Sequence, residues 1–297
     1  MKILTLGSLN FDFVYSVPHV NLEGETISAR SLEQKHGGKG LNQAVALARA
    51  GAEVFMAGCV GEDGGELVET LRRSGVNSEC VRVVEGRSGH AVIQLTDSGA
   101  NAIVIYGGTN QMVSPEMIDE TLARFMPGDY ILLQNEISCV AYAIRAAKER
   151  GMLVAFNPSP VSEELKGYPL ELADVLILNE LEGQALAGTP DGAEAGAVLS
   201  ALVERFPKAS IVLTLGADGA MYRDGACELS CPARRVAVVD TTGAGDTFCG
   251  YFLACIMEGR APAAALNLAA RASALAVGRK GAAASIPTRS EVESAVL

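Results

Sequence analysis

Short apolar runs rich in β-branched and bulky aliphatic residues alternate along this chain with amphipathic segments, and that alternation limits the folds open to it. The runs are Ile3 to Gly7, Val54 to Gly58, Ile131 to Gln134, Leu153 to Asn157, Val175 to Leu178 and Ile211 to Leu215. Between several of them, Leu41 to Ala50, Glu66 to Ser74, Val140 to Arg150 and Ala193 to Phe206 carry apolar residues at spacings of three and four and contain no proline. These read as helices. Strand followed by helix, repeated, predicts an α/β fold with a doubly wound, mostly parallel sheet and helices on both faces.

Two stretches interrupt the alternation. Residues of about 10–36 and 89–106 are strand-like, with period-two alternation in Ala91-Val92-Ile93-Gln94-Leu95 and a turn signal at Asp97-Ser98-Gly99. They are expected to form a small β-sheet lid beside a single α/β domain spanning 1–297. Near the end, Arg235 to Val239 reads as a strand, and Gly245 to Gly259 and Ala261 to Val277 read as two helices rich in alanine and leucine.

Charge and cysteine usage exclude several classes of function. A formal net charge of −11 is the wrong sign for a protein that grips a nucleic-acid backbone, although it does not oppose a single nucleotide held by backbone N–H groups and magnesium. No apolar run approaches the roughly 20 residues of a membrane span. The N-terminal Met1 to Gly7 reads as a buried strand rather than a signal peptide. The seven cysteines are scattered, the pair Cys227 and Cys231 has no second pair for zinc, and His19, His36 and His90 show no metal spacing. Cytoplasmic placement with reduced thiols is the expectation.

The sharpest motif is Asp240-Thr241-Thr242-Gly243-Ala244-Gly245-Asp246-Thr247-Phe248. Glycines at 243 and 245 permit a tight turn that points successive N–H groups into one concavity, and the following helix adds its positive N-terminal end. Such a turn can hold the charge that grows on a transferring phosphoryl group, with Gly243, Ala244 and Gly245 supplying backbone donors. Asp246 beside it is suited to accept a hydroxyl proton. On spacing alone it serves equally well as an N-cap.

Four further segments carry candidate groups. His36-Gly37-Gly38-Lys39-Gly40-Leu41-Asn42-Gln43-Ala44 opens a helix, and its Lys39 and Asn42 are donors suited to sugar hydroxyls. It is not a P-loop, because the first glycine is missing and Gly40 stands where Ser or Thr belongs. Asn10-Phe11-Asp12 puts an amide and a carboxylate on one side of an extended segment, and Glu136 lies just beyond a parallel strand; both acids could equally be solvated. Asn179-Glu180-Leu181-Glu182 follows a strand, where its acids could hold magnesium through water or merely favour a helix start. Leu213-Thr214-Leu215-Gly216-Ala217-Asp218-Gly219 ends a strand in a glycine turn that suits a nucleotide.

Together with Gly7 to Asp12 and the tail Arg279-Lys280-Gly281-Ala282, Ser285 and Pro287, these motifs resemble the ribokinase family of carbohydrate kinases over essentially the whole chain. The glycine segment and the tail resemble the ribokinase branch more than the fructose or adenosine kinase branches. The resemblance implies a sugar bound between lid and sheet by Asn10, Asp12, Gly38, Lys39, Asn42, Glu136 and Asp246. It implies ATP near Asn179, Thr214, Gly216, Gly219 and Gly245, and Mg²⁺ assisted by Asn179 and Glu182, mostly through water. A potassium ion is implied beside Asp240, Thr242, Ala276, Arg279, Gly281 and Ser285, mostly through backbone carbonyls. So is a homodimer clasped through the lids. Two positions depart from the family pattern: Ala270 stands where Asn or His is common on the adenine side, and Leu41 replaces an alanine, adding bulk near the sugar pocket.

The expected reaction is transfer of the γ-phosphoryl group of ATP to the primary hydroxyl of D-ribose, giving ribose 5-phosphate, with Asp246 as base. A kinase for deoxyribose, a ketose or a nucleoside is the nearest alternative. A sugar-binding regulator without turnover has no need of Asp246, the glycine turn and the acidic segment together. A dinucleotide-dependent oxidoreductase lacks its Gly-x-Gly-x-x-Gly fingerprint.

Overall fold

The computed structural model describes residues 1–297. Its main sheet has nine strands: β1 (Ile3–Leu6), β4 (Val54–Val60), β5 (Asn77–Val83), β8 (Tyr130–Gln134), β9 (Leu153–Asn157), β10 (Val175–Asn179), β11 (Ser210–Thr214), β12 (Ala220–Arg223) and β13 (Glu228–Cys231). Their order is β13-β12-β11-β10-β9-β8-β1-β4-β5, parallel from β11 through β5 and antiparallel at the β12 and β13 edge. The parallel strands are buried on both faces, which is why they read as unbroken apolar runs.

Each face of the sheet is covered by helices. One face packs against α1 (Lys39–Arg49), α2 (Gly65–Arg73), α7 (Ala244–Met257) and α8 (Pro262–Val277). The other packs against α3 (Pro115–Leu122), α4 (Val140–Glu149), α5 (Glu180–Ala187) and α6 (Ala195–Arg205). The strand order reverses direction at β1, which lies between β4 and β8. A crevice therefore opens at the C-terminal ends of β1 and β8, the place where open α/β sheets bind ligands.

Helices α1 and α7 cross with almost no separation. A Cβ added to Gly250 would sit 2.4 Å from Ala46 Cβ and 2.7 Å from Leu47 N, so only glycine admits this approach. Four residues before each contact lie Asp246 and Asn42, so the same crossing brings these two side chains face to face one helical turn away.

The second sheet has the order β3-β2-β6-β7, from β2 (Asn10–Ser16), β3 (Ser31–Gly37), β6 (Gly89–Leu95) and β7 (Asn101–Tyr106). Period-two alternation places Asp12 in register with Ala91 and Ile105, and Val14 with Ile93 and Ile103, on one face. Ile103 and Ile105 are 52% and 54% exposed, an unusual state for a row of large apolar residues.

Two expectations fail locally. Arg235 to Val239 is not a strand: the N–H groups of Val239 and Asp240 bond to Val277 O at the end of α8 instead of to a neighbouring strand. Leu41 does not add bulk to a sugar pocket, because it is fully buried in the core between α1 and the sheet.

Candidate active site

The base candidate sits in the first turn of α7. Gly243 is the N-cap residue with φ of 75°, a left-handed conformation suited to glycine, and Asp246 is the third helical residue. No side chain caps this helix. Asp246 is not an N-cap: it is 8% exposed and its carboxylate is turned into the protein, where Asn42 Nδ2 donates to Oδ2 at 2.9 Å and Gln43 Nε2 donates to Oδ1 at 2.9 Å. The N–H groups of Gly245 and Asp246 have no partner within the chain, as the start of a helix dictates, and they stand next to this oriented carboxylate. A proton acceptor and an anion cradle are thereby combined in one turn.

The sugar-side candidates converge on the same crevice. Glu136, just past β8, accepts hydrogen bonds from Ser8 Oγ and from Lys39 N at 3.0 Å, which ties the ends of β1 and β8 to the start of α1. Gly40 N donates to Ser8 Oγ at 3.2 Å, and a Cβ on Gly40 would lie 2.5 Å from Ser8 N. The glycines of this segment thus serve the packing of α1 onto β1. Asn10 Oδ1 accepts from Asn110 Nδ2 at 2.6 Å, and Asn110 Oδ1 accepts from Leu9 N at 3.0 Å. Gly38, at φ of 89°, is the N-cap of α1 and lets the backbone pass Ser8.

Electrostatically the crevice is acidic around one cation. Burial pulls the Lys39 ammonium down, but Asp246, Glu136 and Glu182 outweigh it and raise it above its ordinary value. Burial pushes Asp12 up to about 7; Glu136 and Asp246 reinforce this, and Lys35 opposes it. Asp12 has no hydrogen-bonding partner of its own, and its carboxylate lies against Gly37, where a Cβ would meet Oδ2 at 2.1 Å.

The nucleotide-side candidates lie across the sheet. Asn179 and Thr214 are register neighbours at the ends of β10 and β11, with Gly216 and Gly219 in the turn that follows. Gly216 has open space around it, whereas Gly219 packs tightly on Cys231 O. Asn179 and Glu182 form a capping box for α5: Glu182 N donates to Asn179 Oδ1 at 2.9 Å, and Asn179 N to Glu182 Oε2 at 3.0 Å. No cluster of three or more His, Cys, Asp or Glu side chains could cage a metal ion. This donor set fits magnesium held by phosphates and water rather than by the protein directly.

Asp240 joins the anion turn to the C-terminal loop. Its Oδ1 accepts from Thr242 N at 2.9 Å and Thr242 Oγ1 at 2.6 Å, and its Oδ2 from Gly281 N at 2.9 Å. Burial pushes this carboxyl up, but those hydrogen bonds, aided by Lys35, outweigh it and hold it below the usual range. Ser285 Oγ donates to Ala282 O at 2.8 Å, and Arg279 N donates to Ala276 O at 3.0 Å. The Arg279 guanidinium turns away to Glu291, so its backbone alone faces the loop interior. An ionised carboxylate among carbonyl oxygens is a fitting donor set for a hard monovalent cation.

A family model described as pfkB family carbohydrate kinase matches residues 1–289. The chain belongs to that family. It is 36% identical to the ribokinase of Haemophilus influenzae over 98% of this chain and 97% of that protein. It is 34% identical to the deoxyribokinase of Salmonella typhi over 97% of this chain and 96% of that one. The structure of Arabidopsis thaliana ribokinase complexed with ribose and ATP matches it with a TM-score of 0.85 at 31% identity, covering 98% of this chain and 97% of that one. This carbohydrate kinase therefore carries the ribokinase-like α/β fold together with the small second sheet.

Sequence reasoning did not assign Ser8, Asn110, Gln134 and Asn157. None has a local signature, because each acts through a partner at least twenty residues away. Gln43 stood within the glycine segment without a role. Ala270, the adenine-side departure, is 7% exposed within the α8 core.

Proposed function

We propose that this kinase transfers the γ-phosphoryl group of ATP to the 5-hydroxyl of D-ribose, giving ribose 5-phosphate. The observation that carries the reading is Asp246, whose two oxygens are held by neighbours on α1 while the partnerless N–H groups of Gly245 and Asp246 flank it. Asn10, Asp12, Gly38, Lys39, Asn42 and Glu136 hold the sugar in the crevice between the two sheets. Asp246 accepts the proton of the attacking hydroxyl. The N–H groups of Gly243, Gly245 and Asp246 and the Lys39 ammonium receive the charge developing on phosphorus, while the Ala244 N–H, expected among them, donates to Thr241 O at 3.2 Å; positioning and electrostatics carry most of the rate.

The nucleotide lies over the ends of β10 and β11, near Asn179, Thr214, Gly216, Gly219 and Gly245. Asn179 and Glu182, locked together in the capping box at the end of β10, would lie beside a magnesium ion held by the phosphates and water, which would supply charge neutralisation there. Asp240, Thr242, Ala276, Arg279, Gly281 and Ser285 would hold a potassium ion, mostly through backbone carbonyls, and it would stiffen the backbone that carries the anion turn. The exposed Ile103, in register with the half-buried Ile93 and Val14, supports a homodimer in which the small sheets cover one another. No helix is long and apolar enough to cross a membrane, and use of ATP supports action in the cytoplasm.

A second acceptor, 2-deoxyribose, is favoured by the near-equal identity to a deoxyribokinase. ADP release from Mg-ATP, measured with ribose, 2-deoxyribose, fructose and nucleosides, with and without potassium, separates these. Ribose-dependent turnover stimulated by potassium is the expected result. Turnover with another sugar alone moves the specificity, and silence alongside measurable ribose binding leaves a non-catalytic binder.

A further inference from the structure

Asp246 is gripped by two amides of different kinds. Asn42 is 5% exposed, and its Oδ1 is buried without a partner, so it retains a free acceptor beside the crevice. Gln43 is wholly buried and cannot touch a substrate. Adjacent helical residues project about 100° apart, so the two side chains reach the carboxylate from different sides.

The Gln43 amide is fixed by what surrounds it. Its Oε1 accepts from Gln134 Nε2 at 2.7 Å, which leaves Nε2 pointing toward Asp246. Both hydrogens of Nε2 are used, one on Asp246 Oδ1 at 2.9 Å and one on Asn157 Oδ1 at 3.0 Å. Asn157 is held in turn, because its Nδ2 donates to Ile177 O at 2.8 Å and reaches Glu182 Oε2 at 3.5 Å. Gln134 is the last residue of β8 and Asn157 the last of β9. A chain of amides thus runs along the strand ends, from the sugar side to the α5 capping box, and meets the carboxylate at one point.

Every hydrogen-bonding group of the Gln43 amide is used, although Gln134 Oε1 beside it is left without a partner, and linked buried bonds of this kind lock side-chain orientation more firmly than isolated pairs do. A core helix has no other need of it: apolar side chains would fill the same volume without buried amides. We infer that Gln43 is the positioning residue for Asp246, a buried amide that fixes the rotamer of the carboxylate and couples it to the ends of β8 and β9. This rests on the assignment of Asp246 as the base. Asn42 holds the outer oxygen and remains open to the sugar. Gln43 holds the inner oxygen and never meets it.

Gln43→Glu keeps shape and volume while replacing a donor with a second carboxylate about 3 Å from the first. Two carboxylates that close share a proton. The other titratable groups around the site, Lys39 on α1, Lys35 on β3, Asp12 on β2, Glu136 beyond β8, Glu182 on α5 and Cys249 one turn along α7, are unaltered. The expected result is a fall in kcat at neutral pH of roughly 10- to 100-fold, with the acid limb of the kcat profile moved up by about one unit or more. The ribose KM stays within roughly threefold, because the sugar contacts are retained.

Thermal unfolding checks that the variant folds. Where it does not, Gln43→Met, of similar volume and without charge, reads the same split between kcat and KM. Wild-type kcat with an unmoved profile, or a parallel loss in kcat and sugar affinity without a profile change, overturns the inference. Asp246→Asn is measured in parallel. Turnover retained in that variant removes the base assignment itself, whereas turnover lost there but normal in the Gln43 variants removes only the positioning role.

Discussion

Two carboxylates face the same crevice, and their surroundings treat them oppositely. Asp246 belongs to a core helix, and each of its oxygens accepts a hydrogen bond from a buried amide. Asp12 belongs to the small sheet, has no partner, and is pushed up to about 7 by burial and by Glu136. The interior holds its carboxyl group oriented before substrate arrives, whereas the second sheet holds a group with no hydrogen-bonding partner. Preorganised electrostatics belong on rigid elements, and recognition can be left to a part that closes.

The comparison breaks most visibly at Asp246. Asp246→Asn keeps size and shape but removes the proton acceptor and sets an NH2 group against one of the two amide donors, so turnover in an ADP-release assay is expected to fall by roughly 10²- to 10⁴-fold. Ribose binding by calorimetry should change little. Near-normal turnover would mean that the held carboxylate serves structure alone.

A smaller effect separates the two carboxylates by pH. The folded-state value of Asp12 lies above that of an unfolded aspartate, so the native state binds the extra proton. Its contribution is fully present below about pH 4 and is lost as pH rises through about 7. Thermal unfolding of ligand-free wild type, minus that of Asp12→Asn, should therefore decline over that range, by on the order of 2 kcal/mol. A difference that stays flat with pH would show Asp12 to be solvated, which would erase the contrast.

The smallest effect lies on the sheet itself. Ile103→Asp puts a charge at the exposed end of the row formed with the half-buried Ile93 and Val14. Sedimentation should then report monomer in place of dimer, with the ribose KM raised roughly tenfold and kcat nearly unchanged. A wild-type protein that is itself monomeric would assign that row to something other than a second copy.

How far the sequence could be read differs between these regions for the same reason. Six of the parallel strands and several of the helices between them were legible because burial on both faces writes continuous apolar runs, whereas the edge strand β5, only partly buried, has no such run and was not read. The β12–β13 hairpin was missed, although Asp224 and Gly225 sit at its turn and Asp224 Oδ1 accepts from Ala226 N and Cys227 N, both at 2.8 Å. Arg235 to Val239 alternates like a strand, yet the N–H groups of Val239 and Asp240 bond to Val277 O at the end of α8 rather than to a strand, and pairing is not a local property. The N-cap reading of Asp246 was equally open in sequence, and only the direction of its side chain decides against it.

The sequence by itself determined the class of fold, the glycine turn with Asp246 behind it, and the membership in a kinase family, since all of these are written in local spacing and order. The tertiary structure alone decided that Asn42 and Gln43, more than two hundred residues away, take hold of that carboxylate. It also decided that Gln134 and Asn157 in turn hold Gln43. Those contacts depend on strand order at the β1 switch and on the closeness of two helices at Gly250, and neither leaves a periodic trace in the chain.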